Sequence, residues 1–197
     1  LNFDQSFNSA AGKSSIVISF PDENGIIIDF EITEASVMHP ELAKKYPNNK
    51  SFRGFSVKNA SKQIRFSINE IGLSAIIMDT ETGHTLIDPI GNDLRYYKVY
   101  AEKSLEGIKD FQCFTENDPN NQPELMKSLN KADQGHLKIL KFAVAASGEY
   151  SQFQLNDQNA TGGNDIDKKS VVMGALTTAV TRVNAVLERD LAVSLQL

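Results

Sequence analysis

Apolar and polar positions alternate in short runs over residues 14–101, and each run stops at turn chemistry. Ser15-Ile-Val-Ile-Ser-Phe20 ends at Pro21-Asp-Glu-Asn-Gly25, where proline fixes φ and glycine accepts a positive one, and residues 26–32 resume the apolar pattern. That combination predicts a hairpin. Gln63-Ile-Arg-Phe-Ser-Ile68 alternates strictly, Asn69-Glu-Ile-Gly72 turns, and residues 73–78 return as the next strand. Asp79-Thr-Glu-Thr-Gly83 turns again into Thr85-Leu-Ile87, and residues 96–100 supply one more strand. Between them His39-Pro-Glu-Leu-Ala-Lys-Lys-Tyr46 fits one helical turn starting at Pro40, a residue suited to the first helical position. Short strands at this spacing predict an antiparallel sheet or sandwich.

The pattern changes after residue 103. Asn117-Asp-Pro-Asn-Asn-Gln-Pro123 is polar and turn-rich, which predicts an exposed connector over residues 117–134. His136-Leu-Lys-Ile-Leu-Lys-Phe-Ala-Val-Ala-Ala146 is then nearly continuous in apolar residues, as in a strand buried on both faces with a parallel neighbour. Over residues 170–187 the spacing places Val172, Leu176, Ala179, Val180, Val183 and Leu187 on one helical face, with Asp165, Asp167 or Ser170 available as caps. Residues 191–197 alternate again. Strand, helix and strand make a βαβ unit, and residues 156–167, with Gly162-Gly163, read as a polar loop without the ligand spacing of a calcium-binding hand.

Composition narrows the classes of partner. The chain has 197 residues, 41% of them apolar, enough for one or two domains with a proper core. Its net charge of −5 offers no attraction to nucleic acid or to an anionic membrane surface. No uninterrupted apolar run approaches the roughly 20 residues needed to span a bilayer, so no membrane helix is expected. Residues 1–11 lack the basic start and apolar stretch of a signal peptide, and Leu1 is not an initiator methionine, which suggests processing or trimming. Cys113 is the single cysteine, so no disulfide can form within the chain. On the residues alone it is a thiol packed between Phe111 and Phe114, a metal ligand or a nucleophile. A cysteine hydrolase built on Cys113 and a histidine has no local signature to support it. His39, His84 and His136 stand apart, with no second histidine at ligand spacing. His136, at the start of a strand, reads as a surface or cap histidine. Asn59-Ala-Ser61 and Asn159-Ala-Thr161 fit the glycosylation sequon.

The order of the strand motifs resembles the propeptide of reprolysin (adamalysin) type zinc metalloproteases. The run Tyr46-Pro-Asn-Asn-Lys-Ser-Phe-Arg-Gly-Phe-Ser-Val57 is similar to that family's Y-x-G-x-V strand. Ile64-Arg-Phe-Ser-Ile68, Gly72-Leu-Ser-Ala-Ile-Ile77 and Leu86-Ile-Asp-Pro-Ile90 follow like its later strands, so that the likeness spans residues 14–101. Leu140-Lys-Phe-Ala-Val-Ala-Ala-Ser-Gly-Glu-Tyr150, Thr181-Arg-Val-Asn-Ala-Val-Leu-Glu-Arg-Asp-Leu191 and Ala192-Val-Ser-Leu-Gln-Leu197 resemble the opening of a metzincin catalytic domain, in its bacterial secreted branch, and by that resemblance Glu149 and Tyr150 pack a sheet edge as structural residues.

The resemblance implies an α+β chain. Its antiparallel β-rich propeptide domain would be residues 1–116, and the first strand, helix and second strand of a truncated α/β catalytic domain would be residues 135–197. It implies a secreted or extracellular metalloendopeptidase acting on proteins or peptides, with the propeptide maintaining latency and assisting folding. Its zinc would be held by a histidine motif that this chain lacks, so that no catalytic residue is expected here and the partner is the remainder of the catalytic domain. By the same resemblance Cys113 is a zinc-blocking thiolate of the cysteine-switch kind, although Phe114 stands where that family has glycine. A different class of function, a non-enzymatic β-sandwich binding module joined to a small α/β domain, fits the strand pattern without the resemblance.

Overall fold

The computed structural model describes residues 16–105 and 137–197. Seven strands form one antiparallel meander in which every strand pairs with its sequence neighbours. They are β1 (Ile16–Pro21), β2 (Ile27–Glu34), β3 (Lys50–Ser56), β4 (Gln63–Asn69), β5 (Gly72–Asp79), β6 (Gly83–Pro89) and β7 (Tyr97–Ala101). The short helix α1 (Pro40–Lys45) joins β2 to β3. Each expected hairpin is present, and the turn chemistry explains why. Asp22 Oδ1 accepts from the N–H groups of Asn24 and Ile26, and Gly25 and Gly72 sit at φ +78° and +103°, where a side chain is strained.

The meander is one curled sheet. Curling brings Phe20 of β1 onto Phe66 of β4, with ring centroids 5.2 Å apart, and Phe52 stacks on Phe66 at 4.7 Å. Phe30, Ile32, Ile64, Ala75, Ile77 and Ile87 complete this core on the inner face. Period-two alternation sends the intervening residues of β4 to β6 outward, and there they are mostly polar.

The C-terminal part contains β8 (Lys138–Lys141), α2 (Gly148–Asp157), α3 (Asp165–Leu191) and β9 (Val193–Gln196). Strands β8 and β9 pair in parallel, from Lys138 opposite Val193 to Lys141 opposite Gln196, so the βαβ order expected from the sequence is present. The chain is therefore α+β, a large curled antiparallel sheet with helices. Three details differ from the sequence expectation. Strand β8 is exposed along its length instead of buried on both faces. Residues 148–157 form a helix, started by Ser147 accepting from the N–H of Tyr150, so Glu149 and Tyr150 lie in a first helical turn and not on a sheet edge. The cap of α3 is Asn164, whose Oδ1 accepts from the N–H groups of Ile166 and Asp167, one residue before the first of the expected caps.

Helix α3 lies across the outer face of β4 and β5. It is long and apolar enough, by length and composition alone, to cross a membrane, because valine, leucine and alanine keep its mean hydropathy high although threonine, glycine, arginine and asparagine interrupt the apolar run. Half of its most apolar stretch is buried inside the molecule, the profile of a helix packed on a protein core.

Candidate functional site

The outer face of the sheet is built for a polar contact. Arg65, Ser67 and Asn69 of β4 and Ser74 of β5 are all buried and face the helix. Ser67 Oγ and Thr178 Oγ1 share a hydrogen bond of 2.9 Å, and Asn69 Nδ2 donates to Thr178 Oγ1 and to the carbonyl of Gly174. Gly174 is the reason the helix comes this close. A Cβ there would stand 3.1 Å from the Asn69 amide.

Two ion pairs cross the seam in opposite senses. Arg65 of the sheet pairs with Glu188 of the helix, and Arg182 of the helix donates to Asp88 of the sheet at 2.6 Å. Burial, with Arg53 beside it, lowers the Arg65 guanidinium to about 10. Asp88 accepts on its other oxygen from the hydroxyl of Tyr100 at 2.8 Å. Burial and then the Asp88 carboxylate push that phenol up to about 12. Between the pairs Ile76, Met78, Leu86 and Ala185 form a small apolar patch.

The Arg182–Asp88 pair forms one wall of a cleft of about 440 Å³ between β5, β6, α2 and α3. Tyr150, Gln154 and Asp157 of α2 face it, with Ser74, Asn92 and Thr178. Its surface can hydrogen-bond a polar group. Both oxygens of Asp88 are engaged, so the cleft's best-placed carboxylate works as an anchor between sheet and helix instead of a base.

The sequence candidates disperse. His39 caps α1, its Nδ1 accepting from the N–H of Glu41, and its own N–H donates to the carbonyl of Leu197. His84 Nε2 lies 3.1 Å from Arg189 Nη1. Arginine has only donors, so Nε2 accepts and the ring proton sits on Nδ1, which is buried without a partner. Cys113 and His136 lie outside the described residues. Among the described residues no three histidine, cysteine, aspartate or glutamate side chains come together to hold a metal ion. They do not fit zinc, and no chemical step of a metal centre belongs to them.

Residues the sequence did not single out organise the C-terminal unit. Asn184, fully buried, accepts from the N–H of Leu195 and donates to its carbonyl, both at 2.8 Å, as a neighbouring strand would. Two residues further on, Leu197 donates to the carbonyl of Val37 and accepts from the N–H of His39. The edge of β9 is therefore closed partly by its own helix and partly by the β-rich half. The signal for Asn184 was its place on the inward side of a helix among apolar and small residues, where an amide must find a partner.

The apolar stripe expected to be the buried side of α3 is only partly covered. Of its residues Val180 is buried, Val172, Leu176 and Leu187 are half-covered, and Ala179 and Val183 are exposed, while the buried side also takes in Gly174, Thr177, Thr178, Thr181 and Asn184. Ile139, Leu140 and Phe142, on and beside β8, are exposed as well. Compared with protein-family models, with curated proteins and with solved structures, the chain finds no match.

Proposed function

We propose that this chain is the propeptide and N-terminal catalytic segment of a secreted zinc metalloendopeptidase, in which the β-rich half maintains latency and assists folding of the catalytic part. The supporting observation is the rotation of α3, which docks on the β-rich sheet through a side rich in threonine, glycine and asparagine while much of its apolar stripe is left only half-covered or exposed and strand β8 stays open. A helix folded for this sheet alone would turn its apolar side inward. A helix that belongs to another α/β layer keeps that side for its own sheet and meets a second domain through polar contacts, as interfaces between domains do. A parallel strand pair likewise needs cover on both faces. The remainder of the catalytic domain is the partner that supplies it, and that remainder holds the zinc. Cys113 is the candidate thiolate for latency.

The test is the full-length product of the gene, purified as zymogen. Bound zinc, and peptidase activity that emerges after cleavage in the connector and is lost to a chelator, are the expected results. A product without zinc or peptidase activity would remove the reading. Cys113→Ala decides the thiolate separately: retained latency with unchanged zinc coordination would leave steric plugging as the inhibitory means.

A further inference from the structure

We propose that the cleft between the sheet, α2 and α3 is a binding site for a neutral pyranose ring, either a free sugar or one unit of a glycan chain. Its walls hold hydrogen-bonding groups that the protein itself leaves unused. Ser74 lines the cleft, is 4% exposed and makes no side-chain hydrogen bond among the described residues. The acceptors of Arg182 are Asp88 Oδ1 at 2.6 Å and the carbonyls of Ile87 at 3.4 Å and Ala75 at 3.5 Å, and all three bind Nη2. A guanidinium has five N–H donors, so those on Nε and Nη1 are left over among the described residues, and Nε is buried without a partner. Asn92, in the turn after β6, adds an exposed amide. Asp157 of α2 is engaged only through Oδ2, by Gln158 at 2.8 Å.

The charges select against an ion. An anion that reaches Arg182 also meets Asp88 beside it and Asp157 on α2, and a cation drawn by the two carboxylates meets the guanidinium. Hydroxyl groups suit both, because each donates to a carboxylate and accepts from a guanidinium. Burial pushes the Tyr150 phenol up, so it too stays a neutral hydroxyl. Phe153 supplies the apolar half of the match. Helix α2 is mostly polar, yet this ring lines the cleft and is 63% exposed. Both aromatic side chains of the cleft, Tyr150 and Phe153, come from α2, while α3 contributes the small Ala175, Thr178 and Ala179. A nucleobase gains most from two aromatic walls, and the cleft offers one. A puckered ring can lay its C–H face on Phe153 and turn its hydroxyls to Ser74, Arg182 and Asn92. The volume of about 440 Å³ falls within the range of about 300–1,000 Å³ usual for small-molecule sites.

Saturation-transfer NMR of the intact chain tests this with glucose, galactose, mannose and N-acetylglucosamine, with neutral oligomers of the same rings, and with glucuronate and protonated glucosamine as charged counterparts. Transfer should reach at least one neutral ring, strongest at the C–H protons of one ring face, and should be weaker to the charged counterparts. Binding of the single ring assigns the cleft to a free sugar, and binding of the oligomer alone assigns it to a glycan chain. Phe153→Ala removes the stacking surface and should weaken the titrated affinity by about three- to tenfold. Phe55→Ala, which removes an exposed phenylalanine outside the cleft, should leave it unchanged. Asn92→Ala, at an exposed turn, should also weaken binding, and it reports even if Phe153→Ala fails to fold. No transfer to any of the neutral rings or oligomers, undiminished binding by Phe153→Ala, or tighter binding of glucuronate or glucosamine than of the neutral rings would overturn the proposal.

Discussion

At the residue scale, two side-chain environments make sharp demands. Gly54 sits in β3 where a Cβ would collide with the Ile32 side chain and stand 2.8 Å from the carbonyl of Glu31. The isoleucine can rotate, but the carbonyl belongs to the β2–β3 ladder and cannot. Gly54→Ala should therefore destabilise the chain by about 1–3 kcal/mol, read from denaturant unfolding; an unchanged midpoint would show that the strands part without cost. Tyr100 makes the second demand. Its phenol is raised to about 12, whereas an unfolded tyrosine titrates near 10. The folded chain holds that proton after the unfolded chain has released it, so this contribution to stability is present below about pH 10 and lost as pH rises toward about 12. Among the five tyrosines Tyr150 is also raised by burial, and phenolate absorbance should show Tyr100 titrating at about 12, a step that Tyr100→Phe should delete. Deletion of a step near pH 10 instead would contradict the Asp88 contact.

At the element scale, β9 depends on one amide. Asn184 gives Leu195 both backbone hydrogen bonds on the side away from β8. Replacing it by leucine leaves an N–H and a carbonyl unpaired beside a buried helix, and should cost about 2–3 kcal/mol and release the Leu195 amide to exchange. If stability holds and that amide stays protected, the segment at Val37 to His39 closes the edge unaided. The elements differ in how far their sequences announce them. The meander was legible because Gly25, Gly72 and Gly83 mark its turns and strict alternation marks strands such as β4. Helix α2 was not, because Ser147 signals a start but the residues that follow are mostly polar and show no apolar face. The length and period of α3 were legible, while its orientation was not. Periodicity locates an apolar stripe, and the polar outward residues of β4, Arg65, Ser67 and Asn69, draw Gly174, Thr178 and Glu188 inward, so that the buried side is rotated away from the centre of that stripe. The Arg182–Asp88 and Arg65–Glu188 pairs join residues about a hundred positions apart, which no local pattern encodes.

At the scale of the whole molecule, the β-rich half is finished and the C-terminal unit is open. The sheet encloses an aromatic and aliphatic core on one face and a hydrogen-bonded helix on the other. The βαβ unit has apolar residues facing out on the strand and on the helix, and Ile139 is 63% exposed in the middle of β8. Apolar surface of this kind drives association when no native layer covers it. Ile139→Lys puts a charge on that surface without removing a buried contact, so in the present chain it should leave the melting temperature nearly unchanged and reduce concentration-dependent association in sedimentation. In the full-length gene product the same substitution should behave oppositely. There Ile139 is proposed to lie under the rest of a parallel sheet, and a lysine buried without a partner should lower stability by several kcal/mol or prevent folding. The contrast between the two contexts measures whether a layer covers β8. Equal and small effects in both would mean that β8 stays at the surface, and the C-terminal unit would then be an exposed appendage of the sheet instead of the start of a larger α/β domain.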